Sequence, residues 1–216
     1  IGSNILENLA NNSSFNLVCV GRDIKNQLYR GERIKYFKWD FITFKEKNLS
    51  FLKKANIIIN CVGKMNNNIS NLENINFIFI KKLLKHIKTY QSKVRLIHLS
   101  SVAVYGGTKN YLNQSKIIVE NTTTKTNNLY SKSKHKADML IKNTIKRNLS
   151  KNLSFTILRI SNVFGGKQNS NLYRFVMFTL KLGFWIKTSN EIMFNFVHVK
   201  DVSQAVNLII SKLKVS

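Results

Sequence analysis

Short runs rich in Val, Ile and Leu recur along this chain at near-regular intervals, each followed by a longer stretch with helical periodicity. The runs are NLVCV (16–20), KYFKW around Tyr36, NIIINCV (56–62), VRLIHLS (94–100) and SFTILRI (154–160). Helical patterns fill 1–10, 44–53, 72–89 and 129–148. Nearly apolar strands are expected where a parallel sheet is covered on both faces. Alternation of strand and helix calls for right-handed crossovers, hence a doubly wound α/β sheet. There is no internal repeat and no linker rich in Gly, Pro or Ser. The Asn/Ser stretch 66–71 reads as a loop.

The pattern opens on a helix, "IGSNIL", not on a strand. In a doubly wound sheet the first helix follows the first strand, with phosphate-binding glycines between them. Gly2 stands where the last of those glycines would stand. A glycine there allows close packing of helix on strand and leaves helix N–H groups open to a pyrophosphate. A plain N-terminal turn explains Gly2 equally well when it is taken alone.

Tyr130 and Lys134, in "YSKSK", share one helix face. A free phenol, with a pKa near ~10, is about 0.1 % ionised at neutral pH. A neighbouring ammonium favours the phenolate. A shift of about three units takes roughly 4 kcal/mol, and the product is a general base for an alcohol proton. In a lysine-rich helix such a pair is more often mere surface. The strand "LIHLSSVAVYGG" upstream changes that balance. It ends in Ser100 and Ser101, and ligands of open α/β sheets gather at the carboxyl ends of strands. A hydroxyl there can hold a reacting oxygen.

With these pieces in hand, the chain resembles the extended short-chain dehydrogenase/reductase family, the NAD-dependent epimerase/dehydratase group acting on nucleotide sugars. "IGSNIL", "INCVG", "NINF", "SSVAVYG", "YSKSK", "LRISNVFGG" and "FNFVHVKDVSQAV" follow in the family's order. The resemblance implies a Rossmann-type doubly wound parallel sheet lacking its first strand. Residues 1–164 would be the NAD(P)-binding domain, 165–194 a partial C-terminal substrate lobe, and 195–216 a return to the first domain. It implies Ser101, Tyr130 and Lys134 as the catalytic set. Ser101 would hold the substrate oxygen, Tyr130 would move the proton, and Lys134 would tune Tyr130 and hold the nicotinamide ribose. Gly2, Arg22, Asp40, Cys61, Val62, Gly63, Asn76, Leu99, Ser100 and Ile160 would face the cofactor. Val102 and Asn162 would face the substrate. No metal is implied. Family members also pair as homodimers through a four-helix interface, here 72–89 with 129–148.

The departures matter as much. Strand two ends in Gly21-Arg22, and a guanidinium suits a 2′-phosphate. NADP is therefore favoured over NAD, although Asp23 could serve NAD. Val102 and Ala103 stand where dehydratases carry an acid pair, which leaves epimerisation or simple reduction. Ile160 and Gly166 replace expected prolines. Asn195 or a neighbour replaces the Arg before "FVHV", which puts the nucleoside-diphosphate contact in question. A chain without the first strand is expected to bind cofactor weakly or not at all by itself. Rival readings are a reductase of a non-sugar ketone or alcohol on the same fold, and a non-catalytic cofactor-sensing or RNA-binding protein.

Composition sets outer limits. Over 216 residues the formal net charge is +25, which invites polyanions. Lys is spread throughout, Asn is abundant and Pro is absent. That profile fits codon bias better than a selected nucleic-acid surface, so nucleic acid is expected to bind only non-specifically. Cys19 and Cys61 fall in apolar runs and read as buried, reduced thiols. No apolar stretch reaches the ~20 residues that cross a bilayer, and a cytoplasmic protein is expected. "HVKDVSQAV" reads as a helix start with Asp201 as N-cap and Gln204 closing a capping box. His198 reads as a packed residue rather than a catalyst.

Overall fold

The computed structural model describes residues 1–22, 24, 29, 31–40, 50–65, 72–90, 93–106, 117–146, 153–166, 171–183 and 195–212. The chain divides into two compact units, one of Leu17–Arg159 and one of Ile1–Asn16 with Ile160–Ser216.

In the larger unit, β1 (Leu17–Gly21) and β2 (Ile34–Lys38) form a parallel pair, with Leu17 opposite Ile34 and Gly21 opposite Lys38. A separate ladder runs in the order β3 (Ile57–Asn60), β4 (Val94–Ser101), β5 (Leu153–Ile160). Its β3 and β4 are parallel, with Asn60 opposite His98. Among the described residues no ladder joins β1 to β3. Mixed α/β architecture and parallel strand pairs match the expected fold class.

β4 is the innermost strand. Val94, Leu96, Ile97, His98, Leu99 and Ser100 are all buried, so both of its faces are covered. Two helices follow strands of this unit, α2 (Phe79–Tyr90) and α3 (Leu129–Lys146). α2 buries Ile80, Leu83, Leu84 and Ile87 at helical spacing. Each such side chain contributes about 2 kcal/mol, an upper figure. α3 buries Lys134, Ala137, Asp138 and Ile141 at the same spacing. Two charged residues thus occupy a stripe that ordinarily would be apolar. Trp39 joins the core, edge-on to Phe79 at 5.8 Å, and its backbone N–H donates to the Gly21 carbonyl.

Four expectations are corrected here. β1 and β2 are only half covered, with Val18, Lys35, Phe37 and Lys38 exposed. The pattern at 72–89 is not one α-helix. A π-helical turn, Asn74–Ile78, leads into α2. Of 44–53, residues 44–49 lie outside the described residues, and Ser50–Lys54 is a 3₁₀ turn. The cysteines are not both core thiols, since Cys19 is half-buried and Cys61, just past β3, is exposed. Asp23, the loop 66–71 and residues 147–148 of the helix expected over 129–148 also lie outside the described residues.

In the smaller unit, α1 (Gly2–Ala10) packs on α5 (Val199–Lys212). Ile5 and Leu9 are buried on one helix, and Val199, Val202, Val206 and Ile210 on the other. β6 (Asn162–Phe164) pairs in parallel with β7 (Phe196–His198). Gly165 follows with φ +82°, and a β-carbon there would collide with the His198 ring. α5 begins three residues earlier than expected. The ring of His198, not Asp201, caps it, Nδ1 accepting the Lys200 N–H at 3.3 Å. Asp201 falls inside the first turn, where its charge still suits the helix dipole. α4 (Asn171–Leu182) completes the unit. Among the described residues no helix is long and apolar enough to cross a membrane.

Candidate active site

Parallel strands bring their carboxyl ends to one side, and the larger unit places most of the expected site residues there. Arg22 follows β1 and Asp40 stands two residues past β2, both exposed at the same end of one ladder. Cys61, Val62 and Gly63 follow β3, while Ser101 closes β4. Leu99 and Ser100 are buried. Val102 is exposed. Gly2, Ile160 and Asn162 belong to the smaller unit; there Asn162 donates to the Asn195 carbonyl at 3.3 Å.

Ser101 has extended backbone and caps the 3₁₀ turn Val102–Tyr105, its hydroxyl accepting the Ala103 N–H at 3.2 Å. The same hydroxyl lies close enough to the phenol of Tyr130, from the first turn of α3, to favour its ionised form. Burial raises the Tyr130 pKa, because the phenolate loses its hydration, and Ser101 pulls the other way. Without a further positive charge Tyr130 is therefore a neutral phenol.

Lys134 lies one turn beyond Tyr130 and is only 4 % exposed. Its ammonium donates to the Leu99 carbonyl at 2.9 Å. Desolvation brings its pKa down to about 8, against the opposing pull of Asp138 and Cys61. Gly63 lies directly over this amine, where a β-carbon would sit 3.2 Å from Nζ and 3.7 Å from Asn76 Oδ1. The bare backbone at Gly63 leaves room beside an ammonium at the strand end. On that observation the residues leave room for a hydroxyl-rich group such as a ribose.

Asn76 sits in the π-helical turn and is 1 % exposed. It clasps the backbone of Lys64 twice, accepting its N–H and donating to its carbonyl, each at 2.9 Å. Its amide also donates to Ser133 Oγ at 3.0 Å, and Ser133 donates to the Tyr130 carbonyl at 2.8 Å. One side chain thus ties the turn after β3 to the helix that carries Tyr130 and Lys134. Wide π-turns recur at such sites because the extra residue turns a side chain inward.

A family model described as "NAD dependent epimerase/dehydratase family" matches residues 1–215. The chain belongs to this family. Solved structures similar in fold include the UDP-glucuronic acid 4-epimerase of Bacillus cereus with NAD, at 15 % identity and TM-score 0.74, covering 97 % of this chain and 70 % of that one. The dTDP-glucose 4,6-dehydratase of Bacillus anthracis, also with NAD, is 19 % identical at TM-score 0.74, with 96 % and 67 % covered. The UDP-Glc/GlcNAc 4-epimerase of Campylobacter jejuni is 18 % identical at TM-score 0.70, with 94 % and 69 % covered. No curated protein matches the sequence.

For this member of the epimerase/dehydratase family, the motifs led to Ser101, Tyr130, Lys134 and Asn76 but not to the polar residues behind them. Asn60 accepts the Val62 N–H at 3.0 Å through its carbonyl oxygen and donates to His98 Nδ1 at 2.9 Å. His98 is fully buried, and Arg159 Nε donates to buried Asp138 at 3.0 Å. The available signal was Asp138 itself, four residues after Lys134 on the face that the helix buries.

Proposed function

We propose that the chain is an NAD(P)-dependent epimerase or reductase acting on a nucleotide sugar. What carries this reading is the Tyr130 phenol beside the Ser101 hydroxyl, with the Lys134 ammonium buried one turn along the same helix and bonded to the Leu99 carbonyl. A nicotinamide would take hydride from a sugar carbon or return it. Ser101 holds the sugar oxygen. Tyr130 takes or gives its proton, and Lys134 favours the phenolate by charge. Family membership supports the cofactor class. The named neighbours act on UDP- and dTDP-sugars, which supports that substrate class. Val102 and Ala103, at the position of the dehydratases' acid pair, favour epimerisation or reduction over dehydration. Exposed Arg22 favours the 2′-phosphorylated cofactor. On the same reading two copies meet through α2 and α3.

The test is turnover of UDP- and dTDP-sugars with NADPH or NADH, in the native chain and in Tyr130→Phe. The expected result is a loss of about 10²-fold or more in the variant, with folding retained. Equal turnover would remove Tyr130 as the proton carrier. Faster turnover with NADH than with NADPH would remove the role given to Arg22.

A further inference from the structure

Asp138 lies one turn past Lys134 on the buried face of α3 and is 0 % exposed. A buried carboxylate needs partners to remain charged. Arg159 from β5 supplies one, Nε to Oδ2 at 3.0 Å. The guanidinium is itself fixed. It donates to the Tyr105 phenol at 2.6 Å and lies over that ring, 4.9 Å from its centre. The other carboxylate oxygen, Oδ1, has no hydrogen-bond partner among the described residues. It faces Nε2 of His98 at 3.8 Å.

The protonation of His98 follows from its other nitrogen. Asn60 turns its carbonyl to the Val62 N–H and its NH₂ to His98 Nδ1. An amide NH₂ only donates, so Nδ1 is bare and the ring proton is assigned to Nε2. Burial and the nearby Lys134 charge hold the His98 pKa down to about 3, so the ring is neutral. The titratable groups around Lys134 are then Cys61 after β3, His98 on β4, and Tyr130 and Asp138 one turn to either side on α3. Arg159 and Tyr105 stand behind Asp138. Of these, Asp138 is the carboxyl group, held by Arg159 at 3.0 Å.

We propose that Asp138 is a positioning residue, a carboxylate locked by Arg159 whose field keeps the Lys134 ammonium protonated beneath the Leu99 carbonyl and, through it, makes Tyr130 competent. This rests on the roles given to Tyr130 and Lys134 above. Burial by itself draws Lys134 toward the neutral amine near working pH, and the Asp138 charge opposes that drift. The unpaired Oδ1 leaves part of the carboxylate's field unspent on hydrogen bonds.

Lys134 is followed directly in the intact chain by NMR of ¹³Cε-labelled lysine, its signal assigned by its loss in Lys134→Arg. In Asp138→Asn the titration midpoint is expected to fall by about one unit. Asp138→Glu, which keeps the charge, is expected to restore most of it. An unchanged midpoint in folded Asp138→Asn overturns the proposal, because a purely structural role would leave the titration where it was. Should Asp138→Asn not fold, Arg159→Gln decides. Without its charged partner the buried carboxylate is expected to take up a proton, so the midpoint should fall, and a constant or higher value overturns the proposal. The titration needs no turnover, so a failure here is distinct from a failure of Tyr130→Phe.

Discussion

His98 carries a pH signature that can be read without any substrate. Its pKa in the folded chain is about 3, against an ordinary 6.5. Between those values the unfolded chain binds a proton that the folded chain refuses. Stability is therefore full above pH 6.5 and falls as pH drops through that window, by about 1 kcal/mol per unit. From 6.5 to 5 the loss precedes ordinary carboxylate titration. Lys134 acts in a second window. Its pKa is depressed to about 8 from 10.5, so the folded chain gains relative stability as pH climbs between those values. Chemical denaturation at pH 5, 6.5 and 8 should show the first slope, and His98→Asn should flatten it. An unaltered slope in that variant would mean that the ring does not refuse the proton.

At the scale of elements, helix α3 does two jobs with one stripe. Ala137 and Ile141 pack against the core, while Lys134 and Asp138, at the same helical spacing, hold the Leu99 carbonyl and the Arg159 guanidinium. The opposite face carries exposed Lys132, Lys136, Lys142 and Lys146, and α2 adds Lys81, Lys85 and Lys88. Glu73 answers Lys136 at 2.7 Å. A dimer through these helices would press like charges together, so we expect its association to tighten as salt rises from low to physiological strength. Sedimentation equilibrium across that range checks this; a dimer weakened by salt would point to another interface. Much of this level was legible in the sequence. The strand and helix alternation, the Ser101 strand end and the Tyr130–Lys134 face depend on local pattern. The pairing of His98, Asp138 and Arg159 did not show, because it joins β4, α3 and β5 and nothing local announces it. The π-turn escaped for a related reason, since one extra residue in a helix leaves the hydrophobic spacing almost intact. His198 was read as packed. Its second role, capping α5 in place of Asp201, depends on the orientation of a ring that composition does not reveal.

For the molecule as a whole, the two halves of the larger unit's sheet are unequal. β4 is covered on both faces and pairs on both sides, whereas β1 and β2 pair with each other across a half-open surface. Covered, doubly paired backbone opens only with global unfolding, while a half-open pair opens by local excursions. Deuterium uptake should therefore begin in β1 and β2, at least about tenfold ahead of β4. Equal protection would show that the two ladders open as one. The interrupted ladder thus gives the chain a seam along which it can loosen on one side while the Ser101–Tyr130–Lys134 side keeps its shape. Heat or mild denaturant should reach Arg22 and Asp40, at the ends of β1 and β2, well before it disturbs Ser101, Tyr130 and Lys134.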